Sequence, residues 1–252
     1  MNNSKRLQGK TAIVTGASSG IGETTAIALA QEGAFVTLVA RREDRLQSLA
    51  RRIATDFGGD TLAIIGDVTD ATTIESAVSE TMAKRGRIDI LINNAGIMLL
   101  GPIDGAHTSD WKRMIDINVL GLMNFTHAVV PTMKAQKSGH IVNISSVAGR
   151  VARAGSSGYN ASKWAVGAFS EALRQEVCLH QIRVTIIEPG AVLTELTDHI
   201  THDDVKKQVK DRIAAMSALT AQDVANAIIY VVTQPAHVNI NEILMRPTDQ
   251  QA

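Results

Sequence analysis

Short apolar runs rich in β-branched residues recur along the chain, separated by longer stretches in which polar and apolar positions follow a helical period. The runs are TAIVT at 11–15, FVTLVA at 35–40, LAIIG at 62–66, IDILIN at 88–93, HIVNIS at 140–145 and IRVTIIEP at 182–189. Runs this short and this continuously apolar predict strands buried on both faces, not strands with one wet side. ETTAIALAQEG follows the first run with a helical pattern, and the longest helices are predicted over 108–135 and 157–180. Strand and helix in alternation predict α/β architecture with a doubly wound parallel sheet and helices on both faces. The apolar segment INEILMR near the C-terminus brings the expected sheet to about seven strands and leaves an apolar edge.

No linker, repeat or low-complexity tract breaks this rhythm, so residues 1–252 are expected to form one domain, with all five prolines at element ends or in loops. Its cofactor half covers about 9–100 and its catalytic and substrate half about 101–247. Between Pro189 and Ala218 the pattern turns polar and charge-rich, predicting a short surface helix with flanking loops on the carboxyl side of the sheet. Residues 190–215 are a candidate lid, with a merely solvated helix as the other reading.

Composition adds exclusions. At 252 residues and 45% hydrophobic the chain can bury a substantial core, and its 25 basic residues balance 25 acidic ones. That balance gives no reason to expect nucleic acid or an anionic membrane as partner, and favours a small ligand or another protein. The start has no apolar stretch of signal-peptide length and no segment reaches the ~20 apolar residues of a membrane span, so a cytoplasmic protein without a membrane partner is expected. The single cysteine, Cys178, is expected as a buried apolar residue on a helix. The seven histidines form no H-x-x-x-H or H-E-x-x-H spacing, so no metal is expected. His107, His127, His180, His199 and His202 read as surface or packing residues, with substrate contact an alternative for His199 and His202 in the candidate lid.

TGASSGIG, at 15–22, follows the first strand and opens a helix. Gly16, Gly20 and Gly22 permit a tight turn and close backbone approach, and the helix start around Ser18, Ser19 and Ile21 offers free amides and a favourable dipole to a pyrophosphate. The spacing is G-x-x-x-G-x-G, and its position between strand and helix predicts a dinucleotide site of Rossmann type, with a purely structural turn as the other reading. An acidic residue ending the second strand would bind a ribose 2′-hydroxyl; here Ala40 is followed by Arg41 and Arg42, which favour a 2′-phosphate and hence NADP(H). Glu43 and Asp44, just beyond, stand where they could pair with both arginines. Asp67 and Val68 suit the adenine, and Asn94, Ala95 and Gly96 bring small residues and backbone polar groups near a ribose; each could also be only a turn or a cap.

Tyr159 and Lys163, in YNASK, are one helical turn apart, so both side chains enter the same space. That pair is either packing or an acid with a tuned pKa. Together with TGASSGIG, NNAG, NVLG, the serines after the fifth strand and PG after the sixth, YNASK makes the chain resemble the short-chain dehydrogenase/reductase family from about Gly9 to Pro247. The resemblance implies a catalytic tetrad of Asn118, Ser146, Tyr159 and Lys163, with Ser146 thirteen residues before the tyrosine. Ser146 would hold the substrate oxygen and Tyr159 act as general acid and base. Lys163 would tune the phenol and reach the nicotinamide ribose, while Asn118 holds a water linking the lysine to solvent. Pro189, Gly190, Val192 and Thr194 would border the cofactor, and residues 190–200 the substrate.

The chemistry agrees with these roles, because hydride transfer to a carbonyl builds charge on oxygen and needs a proton donor in place. A free phenol titrates near ~10, and lowering it by ~2–3 units needs ~3–4 kcal/mol, which a lysine ammonium and an oxidised nicotinamide could supply. The implied activity is NADP(H)-dependent interconversion of a small carbonyl compound and a secondary alcohol. The C-terminal PAHVNI resembles the branch of NADP-dependent 3-hydroxy acid and serine dehydrogenase-like enzymes. A 3-oxoacyl-type reductase and a non-catalytic NADPH-binding regulatory protein are the alternatives. The family further implies a homotetramer, and helices 108–135 and 157–180 could pair across a two-fold axis to form a dimer.

Overall fold

All six apolar runs become strands, and a seventh joins them near the C-terminus in the computed structural model, which describes residues 5–251. Residues 1–4 and 252 of the expected domain lie outside the described residues. In chain order the elements are β1 (Thr11–Thr15), α1 (Gly20–Gln31), β2 (Phe35–Ala40), α2 (Glu43–Phe57), β3 (Thr61–Ile65), α3 (Ala71–Arg85), β4 (Ile90–Asn93) and α4 (Thr108–Ile115). A π-helical turn, Asp116–Gly121, leads into α5 (Leu122–Gln136), then β5 (Gly139–Ile144), α6 (Ser157–Val177), β6 (Ile182–Pro189), α7 (Asp203–Ala214), α8 (Ala221–Val232) and β7 (Glu242–Met245). The strands form one parallel sheet in the order β3-β2-β1-β4-β5-β6-β7.

Every residue of β1, β2, β4 and β5 is buried, whereas edge strands β3 and β7 are part-exposed. Successive strand side chains point to opposite faces, and each face has its own core. Ala12, Val14, Val36 and Leu38 pack with α1, α2 and α8; Ile13, Val39, Leu91 and Ile141 pack with α3, α5 and α6. This two-sided burial is why the strands read as continuous apolar runs, each fully buried aliphatic side chain being worth about 1.5–3 kcal/mol.

Three local expectations change. The fourth strand starts at Ile90 because the Asp89 carboxylate accepts from the Thr11 amide at 3.0 Å and from Arg87 and Lys10, turning its side chain into the strand's starting bracket. Pro131 lies inside α5, not at an element end; it is on the exposed side while Phe125, Val129 and Met133 are buried, so its missing N–H is lost where water is available. Cys178 is exposed, not buried, because the helical period gives the inward position to its neighbour Val177.

Candidate active site

β1 lies between β2 and β4, so the strand order reverses at its carboxyl end and a cavity of about 660 Å³ opens there. Gly16, Ser18, Ser19, Gly20, Ile21, Arg41, Arg42, Asp67, Val68, Asn94, Ala95, Gly96, Ser146, Tyr159, Lys163, Pro189, Gly190, Val192 and Thr194 all line it. Gly22 and Asn118 lie behind that lining. A Cβ on Gly22 would stand 2.3 Å from the Gly16 carbonyl oxygen and 2.4 Å from Asn94 Nδ2, so its role is to let the turn fold onto itself. His199 lines the cavity, while His202 caps α7 through Nδ1.

At the phosphate end, Gly16 and Gly20 have φ of +65° and +56°, conformations that favour glycine. Ser19 caps α1 without a side-chain bond, so the first-turn amides are not used up by a cap. Asn94 Nδ2 donates to the Thr15 and Gly16 carbonyls, and Thr15 Oγ1 accepts from the Asn94 and Ala95 amides. The Asn94 side chain therefore staples the glycine turn to β4. Arg42 donates to Ser18 Oγ at 3.0 and 3.1 Å and to Ser19 Oγ at 2.6 Å, which brings a guanidinium against the turn. Glu43 and Asp44 do not take these arginines: Arg41 pairs with Asp67 at 3.5 Å and Arg42 with Glu195 at 2.8 Å. Asp67 Oδ1 also closes a turn onto Thr69, leaving lone pairs for an adenine amino group. A tight glycine turn, a free helix start and two guanidiniums fit a pyrophosphate and a 2′-phosphate.

At the other end, α6 carries Tyr159 and Lys163 on one face, both only 6% exposed. Burial pushes the Tyr159 phenol up to about 12, opposed by its hydrogen bond with the Ser146 side chain. The expected lowering concerns a site that holds both the lysine ammonium and the oxidised nicotinamide; burial by itself acts in the opposite direction. The cause is desolvation; Lys163 Nζ lies 5.8 Å from the phenol ring centre and donates to the Ile144 carbonyl at 2.9 Å. Burial likewise lowers Lys163 to about 8. Ser146 Oγ accepts from the Ala148 amide and donates to the Pro189 carbonyl, fixing it at the mouth of β5.

Asn118 sits in the π-helical turn with Oδ1 accepting from the Ile97 amide at 2.8 Å and Nδ2 donating to the Ile97 carbonyl and to Ser162 Oγ. Ser162 in turn donates to the Tyr159 carbonyl at 2.8 Å, so Asn118 is tied to the backbone that carries the phenol. Ser162, Thr15, Arg45 and Glu195 were not singled out from sequence. Ser162 stands three residues after Tyr159 on α6, and that spacing was the available signal for it; the other three act through partners distant in sequence.

A nucleotide cradle at the switch point of a parallel sheet, with a buried acid–ammonium pair at its far end, defines a dinucleotide-dependent oxidoreductase. The model of the short chain dehydrogenase family matches residues 10–205, and the chain belongs to that family. An uncharacterized oxidoreductase of Staphylococcus saprophyticus is 41% identical over 253 residues, covering 99% of each protein. Among solved structures, the closed form of serine dehydrogenase complexed with NADP+ is similar at a TM-score of 0.88 and 38% identity, over 96% of each chain. A metagenomic short-chain oxidoreductase in complex with NADP aligns at a TM-score of 0.81 and 31% identity, covering 97% of this chain and 100% of that one.

Proposed function

We propose that the protein transfers a hydride between NADP(H) and a carbonyl or secondary-alcohol substrate, with Tyr159 as general acid and base. The observation that supports it most is the buried Tyr159 beside Ser146 in the same cavity as the glycine turn and Arg41 and Arg42. Bound NADPH supplies the hydride. The glycine turn, Arg41, Arg42, Asp67, Val68 and residues 94–96 would hold its adenosine and phosphate parts, with Lys163, Pro189, Gly190, Val192 and Thr194 bordering the nicotinamide side. In reduction Ser146 donates to the substrate oxygen as charge grows on it, and Tyr159, protonated across the neutral range, hands over its proton. Lys163, anchored to Ile144, supplies the nearby positive charge, and Asn118 keeps Ile97 and Ser162 in register with the tyrosine. The exposed Trp164, Ile115 and Leu120 support association of copies, the homotetramer of the family being the expected state.

Two arginines favour an acidic substrate such as a 3-hydroxy acid. Arg153 and Arg212 line the cavity, and the positive charges of Arg212 and Arg246 add to burial in lowering Arg153's affinity for its proton. The test is initial rates with NADPH and NADH across short oxo acids, their methyl esters, aldehydes and aryl ketones. NADPH-dependent turnover is expected, with oxo acids preferred to their esters by about tenfold and that preference lost in Arg212→Ala. Equal rates on acid and ester would remove the acidic assignment, and no turnover on any carbonyl would favour the non-catalytic reading.

The pH profile follows from Lys163. Its charged form is the one that acts, and its folded pKa is lowered to about 8. Reductive kcat/KM is therefore expected to be level below pH 8 and to fall by about tenfold per unit above it. A flat profile to pH 10 would remove the requirement for an ammonium at this position.

A further inference from the structure

We infer that Glu195 is a built-in competitor for the cofactor's 2′-phosphate: its carboxylate occupies Arg42 and Arg45 until the phosphate displaces it and frees the segment beginning at Thr194. The inference rests on the NADP(H) reading and concerns how this chain's own residues prepare that end of the site.

Arg42 Nη1 donates to Glu195 Oε2 at 2.8 Å and Arg45 Nη1 to Oε1 at 2.7 Å, so each carboxylate oxygen holds one guanidinium. The partners are 153 and 150 residues apart in sequence, and the carboxylates of Glu43 and Asp44 stand closer along the chain without taking this position. Arg42 reaches at the same time to Ser18 and Ser19 of the glycine turn. Glu195 thus presents a carboxylate where a 2′-phosphate on the adenosine ribose would meet Arg42. A phosphate dianion carries three strong acceptor oxygens and outcompetes a carboxylate for guanidiniums. The Glu195 side chain is 44% exposed, so breaking its pairs leaves no buried charge stranded. Arg45, once released, becomes a further cation for the phosphate.

The displaced residue belongs to a larger unit. Glu195 opens the 3-10 turn Glu195–His199, in which Asp198 pairs with Lys210 at 2.5 Å and its carbonyl accepts from Lys206 at 2.7 Å. The turn and α7 are therefore tied together, and both line the cavity through Leu196, Val209 and Ile213. At the hinge, a Cβ on Gly20 would lie 3.2 Å from Thr194 Cγ2, so the segment rests directly on the phosphate-binding turn. Occupation of the 2′-phosphate position is coupled in this way to the wall that faces the substrate.

Titration calorimetry of wild type and Glu195→Gln with 2′-phospho-ADP-ribose and with ADP-ribose tests this without turnover. The variant is expected to bind the 2′-phosphate ligand roughly five- to tenfold more tightly, with ADP-ribose affinity unchanged. Hydrogen exchange on wild type should show residues 195–214 exchanging faster with the 2′-phosphate ligand than with ADP-ribose, a difference absent in the variant. Binding of both ligands with an unaltered affinity ratio, or an exchange pattern that is the same for both in wild type, overturns the competitor role while leaving the cofactor reading intact. Failure of wild type to bind either ligand overturns both.

Discussion

Tyr159→Phe is expected to lower reductive kcat/KM by about a thousandfold, within the range that a positioned general acid contributes. The ring packs among Ile97, Leu99 and Met114, and the substitution keeps that contact while removing only the hydroxyl. Folding and NADPH affinity should therefore stay near wild type. Burial drives the phenol to about 12, so in the protein by itself it stays protonated at neutral pH, and nearby positive charge is needed both to release its proton in reduction and to make it a base in oxidation. The loss should consequently be seen in both directions, and the wild-type oxidative rate should rise with pH only up to about 8, where Lys163 begins to lose its charge. Steady-state rates, binding by intrinsic fluorescence and a melting curve check it together. Activity within tenfold of wild type at unchanged affinity would sink the role of Tyr159 as proton donor.

The legibility of this fold followed from its burial. β1, β2, β4 and β5 are covered on both faces, so their sequences are apolar at every position and need no partner to be read as strands. The glycine turn and the Tyr159–Lys163 spacing were legible for the same local reason, each being a constraint satisfied within eight residues. What sequence did not reveal is set by residues far apart. Glu195 meets Arg42 and Arg45 across the mouth of the cavity, and Asn118 reaches Tyr159 only through Ser162 on another helix. The Tyr159–Lys163 spacing reports proximity but not the desolvation both groups share, which raises the phenol and lowers the lysine. The π-helical turn that carries Asn118 likewise has no signature in a 3.6-residue period.

Arg41→Ala/Arg42→Ala is expected to lower kcat/KM with NADPH by roughly a hundred- to a thousandfold. Hydrogen bonds to charged groups contribute about 1.5–3 kcal/mol each, and the exposure of both arginines places the effect toward the lower end. With NADH the change should be no more than about threefold, arising only from the lost Arg42 support for Ser18 and Ser19, since a ribose hydroxyl gives the guanidiniums no charge to meet. The double variant also strips Asp67 of its guanidinium and leaves Glu195 with Arg45 alone, and both carboxylates would repel a 2′-phosphate while tolerating a hydroxyl. Cofactor preference should thus collapse or invert with the reaction at Tyr159 intact. The measurement is the ratio of NADPH to NADH efficiencies on one carbonyl substrate. A parallel fall with both cofactors would mean the arginines hold the glycine turn together and do not read the phosphate.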